Sequence, residues 1–106
     1  MPRLPQFISD ALDRVRARSR ANRHLKDGNR AYQQRDFATA ITAYREAVAI
    51  EPRRPVLRIN LGLALYKNGE KTAGRAEWKV VLELTQGHKD SVMIAEQATI
   101  LLRQFG

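Results

Sequence analysis

The chain has 106 residues, the size of one small domain, and its 19 Lys+Arg outnumber its 11 Asp+Glu to give a formal net charge of +8. The absence of cysteine excludes disulfides, thiolate zinc sites and thiol catalysis. No apolar run reaches the roughly 20 residues of a membrane span, and the N-terminus lacks the apolar core of a signal peptide, so the sequence predicts a cytoplasmic protein.

The positive charge is concentrated near the N-terminus. Residues 1–35 hold nine Lys+Arg against three Asp, a net charge of +6, whereas the remaining residues contribute only +2. Such asymmetry is typical of a protein that meets an acidic partner or an acidic surface.

Residues 4–20 are predicted to form the first helix, with Pro5 in its first turn. Apolar side chains recur there at helical spacing, at Leu4, Phe7, Ile8, Ala11, Leu12 and Val15. A basic patch overlaps and follows them, made of Arg14, Arg16, Arg18, Arg20 and Arg23. Two interpretations stay open: a capping helix whose apolar stripe packs on the rest of the chain, or a basic amphipathic helix for an anionic membrane surface or nucleic acid. The small core favours the first interpretation, because it needs that apolar surface.

Residues 28–62 carry a pattern that begins again at residue 62. Gly28 and Gly62 are 34 residues apart. At offsets of 9, 12, 16, 19 and 24 from the first glycine stand Phe37, Ala40, Tyr44, Ala47 and Pro52, and at the first four of these offsets from the second stand Lys71, Gly74, Trp78 and Val81. A glycine inside a helix costs about 1 kcal/mol relative to alanine, so its presence at both positions indicates close helix–helix approach.

This 34-residue period of small and aromatic residues resembles the tetratricopeptide repeat, a helix–turn–helix unit, over residues 21–87. The resemblance implies an all-α fold, with antiparallel helix pairs in a short right-handed superhelix and a capping helix at each end. We divide the single domain into a basic N-terminal helix (1–20), a first repeat (21–54), a second repeat (55–87) and a C-terminal capping helix (88–106). Because nothing between residues 16 and 24 strongly breaks a helix, the first helix can continue into the first repeat. The predicted core contains Phe37, Ala40, Tyr44, Ala47, Leu61, Leu65, Trp78 and Leu82.

The last predicted helix, residues 91–104, is apolar on two sides. One side carries Val92, Ala95 and Leu102, and the other carries Ile94, Ala98, Leu101 and Phe105. Only one side can cover the second repeat, and an uncovered apolar stripe usually indicates a partner. We therefore predict a homodimer through residues 91–105, with self-association carried by Ile94, Leu101 and Phe105.

The sequence offers little support for catalysis. His24 and His88 are isolated, with no nucleophile or metal-ligand spacing beside them. The glycines are scattered and form no phosphate-binding loop. We therefore predict no enzyme activity and no catalytic, cofactor or metal site.

The tetratricopeptide resemblance implies a concave groove, lined by the first helix of each repeat, that receives an extended peptide or a helix. The predicted groove residues are Asn22, Leu25, Lys26, Asn29, Gln33, Ile59, Asn60, Leu63, Tyr66 and Lys67. This lining is partly apolar and partly basic, which favours an acidic or amphipathic segment. Replacing Asn29 and Asn60 by alanine is expected to weaken binding and to leave the melting temperature nearly unchanged.

Asn29 and Asn60 also resemble the two asparagines of the family's carboxylate clamp. The clamp further requires basic residues where this chain has Leu25, Asp90 and Ile94, so a bare C-terminal carboxylate is not the expected ligand. The predicted function is a non-catalytic adaptor that holds a partner protein. The alternative is a protein that binds nucleic acid or an anionic membrane surface through its basic N-terminal helix. Against nucleic acid, no aromatic residue alternates with the arginines between residues 8 and 31.

Overall fold

A computed structural model describes residues 3–106 and is built from helices alone, with no β-strand in that range. One short 3-10 helix, Lys89–Ser91, separates the last two α-helices. The five α-helices are α1 (Gln6–Gln33), α2 (Phe37–Ile50), α3 (Pro55–Lys67), α4 (Lys71–Thr85) and α5 (Val92–Gln104). Each α-helix packs mainly on the next one along the chain, as in an array of helix pairs. The prediction of an all-α, tetratricopeptide-like fold is confirmed.

Within each helix pair a turn joins the two helices, and the two turns repeat the same geometry 34 residues apart. Arg35 and Gly69 both adopt a left-handed backbone conformation, with φ of 60° and 90°. The next residue in each turn, Asp36 or Glu70, donates its backbone N–H to a carbonyl five residues earlier at 2.9 Å. Asp36 also caps α2, because its carboxylate accepts a 3.2 Å hydrogen bond from the backbone N–H of Thr39. The period seen in the sequence is therefore a period of backbone structure.

The core consists of two clusters, one between α1, α2 and α3 and the other between α3, α4 and α5. The first contains Ala31, Ala40, Ile41, Tyr44, Leu61, Ala64 and Leu65, and the second contains Ile59, Trp78, Val81 and Ala98. Of the eight side chains predicted to be buried, Phe37 and Leu82 are only partly buried. Phe37 is the first residue of α2 and lies at the edge of the pair, where it meets Tyr32 edge-on at 5.3 Å between ring centroids. Leu82 packs at the rim of the second cluster.

Both helical glycines make room for a ring. A Cβ atom added to Gly28 would lie 2.5 Å from Cδ1 of Tyr44. One added to Gly62 would lie 2.7 Å from Cδ1 of Trp78 and 2.8 Å from the carbonyl oxygen of Gly74. Since atoms cannot approach so closely, each glycine is required where an aromatic ring crosses the preceding helix. The predicted close approach of the helices at Gly28 and Gly62 is present.

The N-terminal half of α1 extends beyond the helix pair. The 28 residues of α1 span about 42 Å, whereas the 14 residues of α2 span about 21 Å. The predicted continuous helix across residue 20 is present, and for that reason the prediction that the apolar stripe packs on the repeats is wrong. A straight helix carries the stripe past the end of α2, and Phe7 and Val15 remain 72% and 67% exposed. We call residues 4–16 the N-terminal extension.

Helix α5 packs on the second repeat with the side that was expected to face water. Ile94, Leu101 and Phe105 all lie against the cluster around Trp78. The centroid of the Phe105 ring lies 5.0 Å from that of Tyr66 and 6.0 Å from that of Trp78. This side of α5 therefore packs against the tryptophan. The expectation that these three side chains are free for self-association is therefore corrected. The exposed apolar side chains of α5 are instead Val92, Met93 and Ile100.

Candidate functional site

Four of the ten predicted groove residues meet around one small cavity. Asn29 and Gln33 of α1 and Asn60 and Leu63 of α3 line a space of about 190 Å³. Tyr32 and Tyr44 complete its wall. The two first helices of the repeats thus present their polar amides to one common space, as the sequence predicted.

The floor of this cavity holds Asn29 in one orientation. The Tyr44 hydroxyl donates a 2.7 Å hydrogen bond to Oδ1 of Asn29, and Nδ2 of Asn60 donates to the same oxygen at 3.4 Å. Burial raises the pKa of Tyr44 to about 12, so the phenol stays a neutral donor. Because its oxygen is occupied by two donors, Asn29 has its own amide N–H groups left for a ligand.

This network revises the expected effect of replacing the two asparagines. Asn29→Ala would leave the buried Tyr44 hydroxyl without its acceptor, at a cost of about 1 kcal/mol. The melting temperature would therefore fall with Asn29→Ala, contrary to the expectation from the sequence. Asn60→Ala leaves the bond between Tyr44 and Asn29 in place and is the cleaner test of the groove.

The other predicted groove residues divide into supporting and exposed ones. Leu25 packs on the first core cluster, and Ile59 is buried in the second. Asn22 accepts a 2.7 Å hydrogen bond from Arg54, and the Tyr66 ring stacks on Trp78 at 5.7 Å. The remaining two, Lys26 and Lys67, are exposed.

A second cavity continues the groove toward α5. It has a volume of about 400 Å³ and shares Asn60 and Leu63 with the first cavity. Its other lining residues are Val56, Ile59, Gln97, Ile100 and Leu101. The lining therefore runs from α1 across α3 to α5, with apolar side chains more frequent at the α5 end.

The lining residues that the sequence did not predict are Tyr32, Tyr44, Val56, Gln97, Ile100 and Leu101. The 34-residue period carries a signal for three of them: Val56 follows Asn22, Gln97 follows Leu63 and Tyr66 follows Tyr32 at that distance. Tyr44 was correctly predicted as a core residue, and nothing in the sequence shows that its hydroxyl reaches Asn29.

Charge in and around the groove is basic. None of the ten predicted groove residues is a carboxylate, and two are lysines. The nearby Arg54 and Arg58 are neutralised by ion pairs, with Glu51 at 3.3 Å and Glu77 at 2.9 Å. Among the ten predicted groove residues the charged ones are Lys26 and Lys67, which line neither cavity; their positive charge favours an acidic ligand.

The largest cavity lies apart from the groove, at the turn into α5. Its volume is about 660 Å³, and it is open to solvent along the outer side of α5, with His88, Glu96 and Arg103 among its lining residues. The other histidine, His24, lies 2.8 Å from Glu46. Over residues 3–106, no group of three or more His, Asp or Glu side chains could hold a metal ion.

The part of the chain that matches a known protein family lies within the two repeats. Residues 28–69 match the family model described as TPR repeat. A TPR repeat-containing protein of Pseudomonas aeruginosa is 39% identical over 59 residues, which are 56% of this chain and 24% of that protein. The chain thus covers about a quarter of the length of this relative. No solved structure matches the chain. The predicted resemblance to the tetratricopeptide repeat is confirmed over residues 28–69.

Proposed function

We propose that this tetratricopeptide-repeat protein is a non-catalytic adaptor that holds an acidic or amphipathic segment of a partner protein in the groove lined by α1, α3 and α5. Repeats of this family generally mediate protein–protein interaction. The observation that carries the proposal is Asn29, whose amide oxygen is occupied by Tyr44 and Asn60 while its N–H groups remain for a ligand.

Each part of the groove would contribute a different interaction. The amide N–H groups of Asn29 can donate to a backbone carbonyl or a carboxylate of the bound segment. Leu63 and Leu101 offer apolar contact to its side chains, since both line the second cavity. Lys26 and Lys67 attract acidic residues, and this attraction raises the association rate more than the affinity.

A titration with an acidic peptide tests this proposal. The ligand is a helical peptide with leucines on one face and glutamates on the other, and its control is the same peptide with lysines in place of the glutamates. The acidic peptide is expected to bind at least about tenfold more tightly, and Asn60→Ala to weaken that binding about fivefold, the value of one hydrogen bond. Fluorescence anisotropy gives both affinities.

Tyr44→Phe provides the matched control. It removes the hydrogen bond from Tyr44 to Asn29, which Asn60→Ala keeps, and it removes no amide from the groove, so it measures loss of stability apart from loss of contact. Equal affinity for the two peptides, or an Asn60→Ala variant that binds as tightly as the unchanged protein, would contradict the proposal.

We also propose that the homodimer predicted from the sequence forms through the exposed outer side of α5. Met93 is 81% exposed, and Val92 and Ile100 are about half exposed. Burying such side chains is worth roughly 2 kcal/mol each at most, and association costs at least about 4 kcal/mol, so three of them on each of two chains are sufficient.

The double variant Met93→Ser/Ile100→Ser is therefore expected to be monomeric at micromolar concentration, where the unchanged chain is dimeric. Sedimentation velocity in moderate salt measures both, and Phe7→Ser at the other end of the molecule is the control. A monomeric unchanged chain would rule out this dimer.

A further inference from the structure

The N-terminal extension is the largest exposed apolar feature that the adaptor function does not use. Four of its side chains, Leu4, Phe7, Leu12 and Val15, are exposed, the first, second and last of them by more than half. The extension ends beside the turn that follows α2, where Arg18 lies 2.6 Å from Glu51. At its C-terminal end, Ala11 and Val15 line a cavity together with Ile50 and Glu51. The stripe is therefore open along most of its length.

Arginines border this stripe on both sides. In an α-helix successive residues are about 100° apart, so Arg14 and Arg16 lie to the left and right of Val15. Asp10 and Asp13 fall on the opposite side of the helix from the stripe. The extension thus shows an apolar face with positive borders and keeps its carboxylates away from that face.

Several of these arginines are free to meet an anionic group. Arg16 has only a long contact with Asp13, 3.5 Å between two exposed side chains. Within residues 3–106, Arg14, Arg20 and Arg23 form no ion pair. A partner that supplies both an apolar layer and negative charge would bury the apolar stripe and pair with the arginines beside it.

An anionic lipid surface has both of these properties. A helix of this kind lies in the plane of the membrane interface, with its apolar face below the headgroups and its arginines reaching up to the phosphates. A nucleic acid would use the arginines but would leave Phe7 and Val15 in water. A second copy of the chain would cover the stripe but would bring two arginine borders together without a carboxylate between them.

We propose that the N-terminal extension of α1 binds an anionic membrane surface by inserting Phe7, Leu12 and Val15 between lipid headgroups, with Arg14 and Arg16 on the lipid phosphates. This goes beyond the adaptor function, since it uses a different surface. The groove on the second half of the same helix would then be held at the membrane, where it presents a bound partner segment.

Co-sedimentation of the full chain with vesicles tests the proposal. Vesicles of phosphatidylcholine containing phosphatidylserine are compared with vesicles of phosphatidylcholine alone. We expect at least about tenfold tighter binding to the anionic vesicles, weakening as salt rises. Phe7→Ser/Val15→Ser and Arg14→Gln/Arg16→Gln should each lower that binding about tenfold or more.

Arg45→Gln/Lys79→Gln is the matched control for the arginine variant, because it removes two exposed positive charges from α2 and α4, outside the extension, and should lower vesicle binding far less than Arg14→Gln/Arg16→Gln. All the replaced side chains are exposed, and the helical circular dichroism of each variant confirms that it folds. Equal binding to both kinds of vesicle, or no effect of Phe7→Ser/Val15→Ser, overturns the proposal.

Two further outcomes would assign the extension to another occupant and likewise overturn the proposal. One is tighter binding to single-stranded RNA than to anionic vesicles, with the arginine variant affected and the apolar variant not. The other is a lipid-free dimer in sedimentation velocity that Phe7→Ser/Val15→Ser converts to a monomer.

Discussion

Trp78→Ala is expected to lower the free energy of unfolding by about 4 kcal/mol, the largest loss of any single substitution in this chain. Trp78 is fully buried and stacks on Tyr66 at 5.7 Å between ring centroids. Its indole N–H donates a 3.3 Å hydrogen bond to the carbonyl of Ile59. A domain of this size is stable by only about 5–15 kcal/mol, so the variant would lose much of its margin. Urea denaturation followed by circular dichroism measures the change.

The loss should extend to α5, because Phe105 packs against the same ring at 6.0 Å. Hydrogen exchange at the amides of α5 is therefore expected to be faster in Trp78→Ala. Lys79→Ala, at an exposed position of α4, is the control and should change stability by less than about 0.5 kcal/mol. A loss below about 2 kcal/mol for Trp78→Ala would mean that the ring does not hold α3, α4 and α5 together.

Gly62→Ala is expected to destabilise the chain by about 3 kcal/mol, although alanine is the better helix former by about 1 kcal/mol. The added methyl group would lie 2.7 Å from Cδ1 of Trp78 and 2.8 Å from the carbonyl oxygen of Gly74. A backbone carbonyl inside a helix cannot swing aside, so α3 and α4 must move apart. Thermal unfolding gives the expected fall in melting temperature.

Gly28→Ala is the matched comparison and should cost less, about 1 kcal/mol. The three atoms nearest to its methyl group would all belong to the Tyr44 side chain, whereas one of the three at Gly62 is a backbone oxygen. The difference between the two variants thus isolates the contact between the backbones at Gly62 and Gly74. Equal losses for the two glycines, or a gain in stability from Gly62→Ala, would contradict this account of the α3–α4 contact.

Much of the repeat architecture was predictable because it is local and periodic. Gly28 and Gly62 mark the two ring crossings, and the 34-residue spacing repeats in the turns at Arg35 and Gly69. Small residues at fixed distances from a ring specify a helix–helix contact within one pair, and such contacts lie close in sequence. The predicted boundary between the N-terminal helix and the first repeat, at residue 20, is not a helix boundary, since α1 runs through it. The four predicted segments of the domain stay predictions.

The two ends were less predictable, for one physical reason. Periodicity shows which side chains share a face of a helix, but it does not show what lies opposite that face. What lies opposite the N-terminal stripe depended on whether α1 bends back near residue 20, and α1 continues through that residue as one helix. Which side of α5 is buried depended on the rotation of the helix about its own axis. The packing of Phe105 on Trp78 and Tyr66 determines that rotation.

The groove was predictable in position but not in its internal bonds. Asn29 and Asn60 come together as expected, since both lie on the faces that the first helices of the repeats share. The hydrogen bond from Tyr44 joins residues 15 positions apart on different helices, and no spacing rule predicts it.

No helix over residues 3–106 is long and apolar enough to cross a membrane. A cytoplasmic location stays a prediction of the sequence.

The most direct test of the central claim is to locate the bound acidic peptide by nuclear magnetic resonance of the isotope-labelled chain. If the groove is the binding surface, the side-chain amide signals of Asn29 and Asn60 and the backbone signal of Gln97 shift on addition of the peptide, and those of residues 7–16 do not. Shifts confined to residues 7–16, or to the outer side of α5 around Met93, would contradict the claim that this chain holds its partner in the groove.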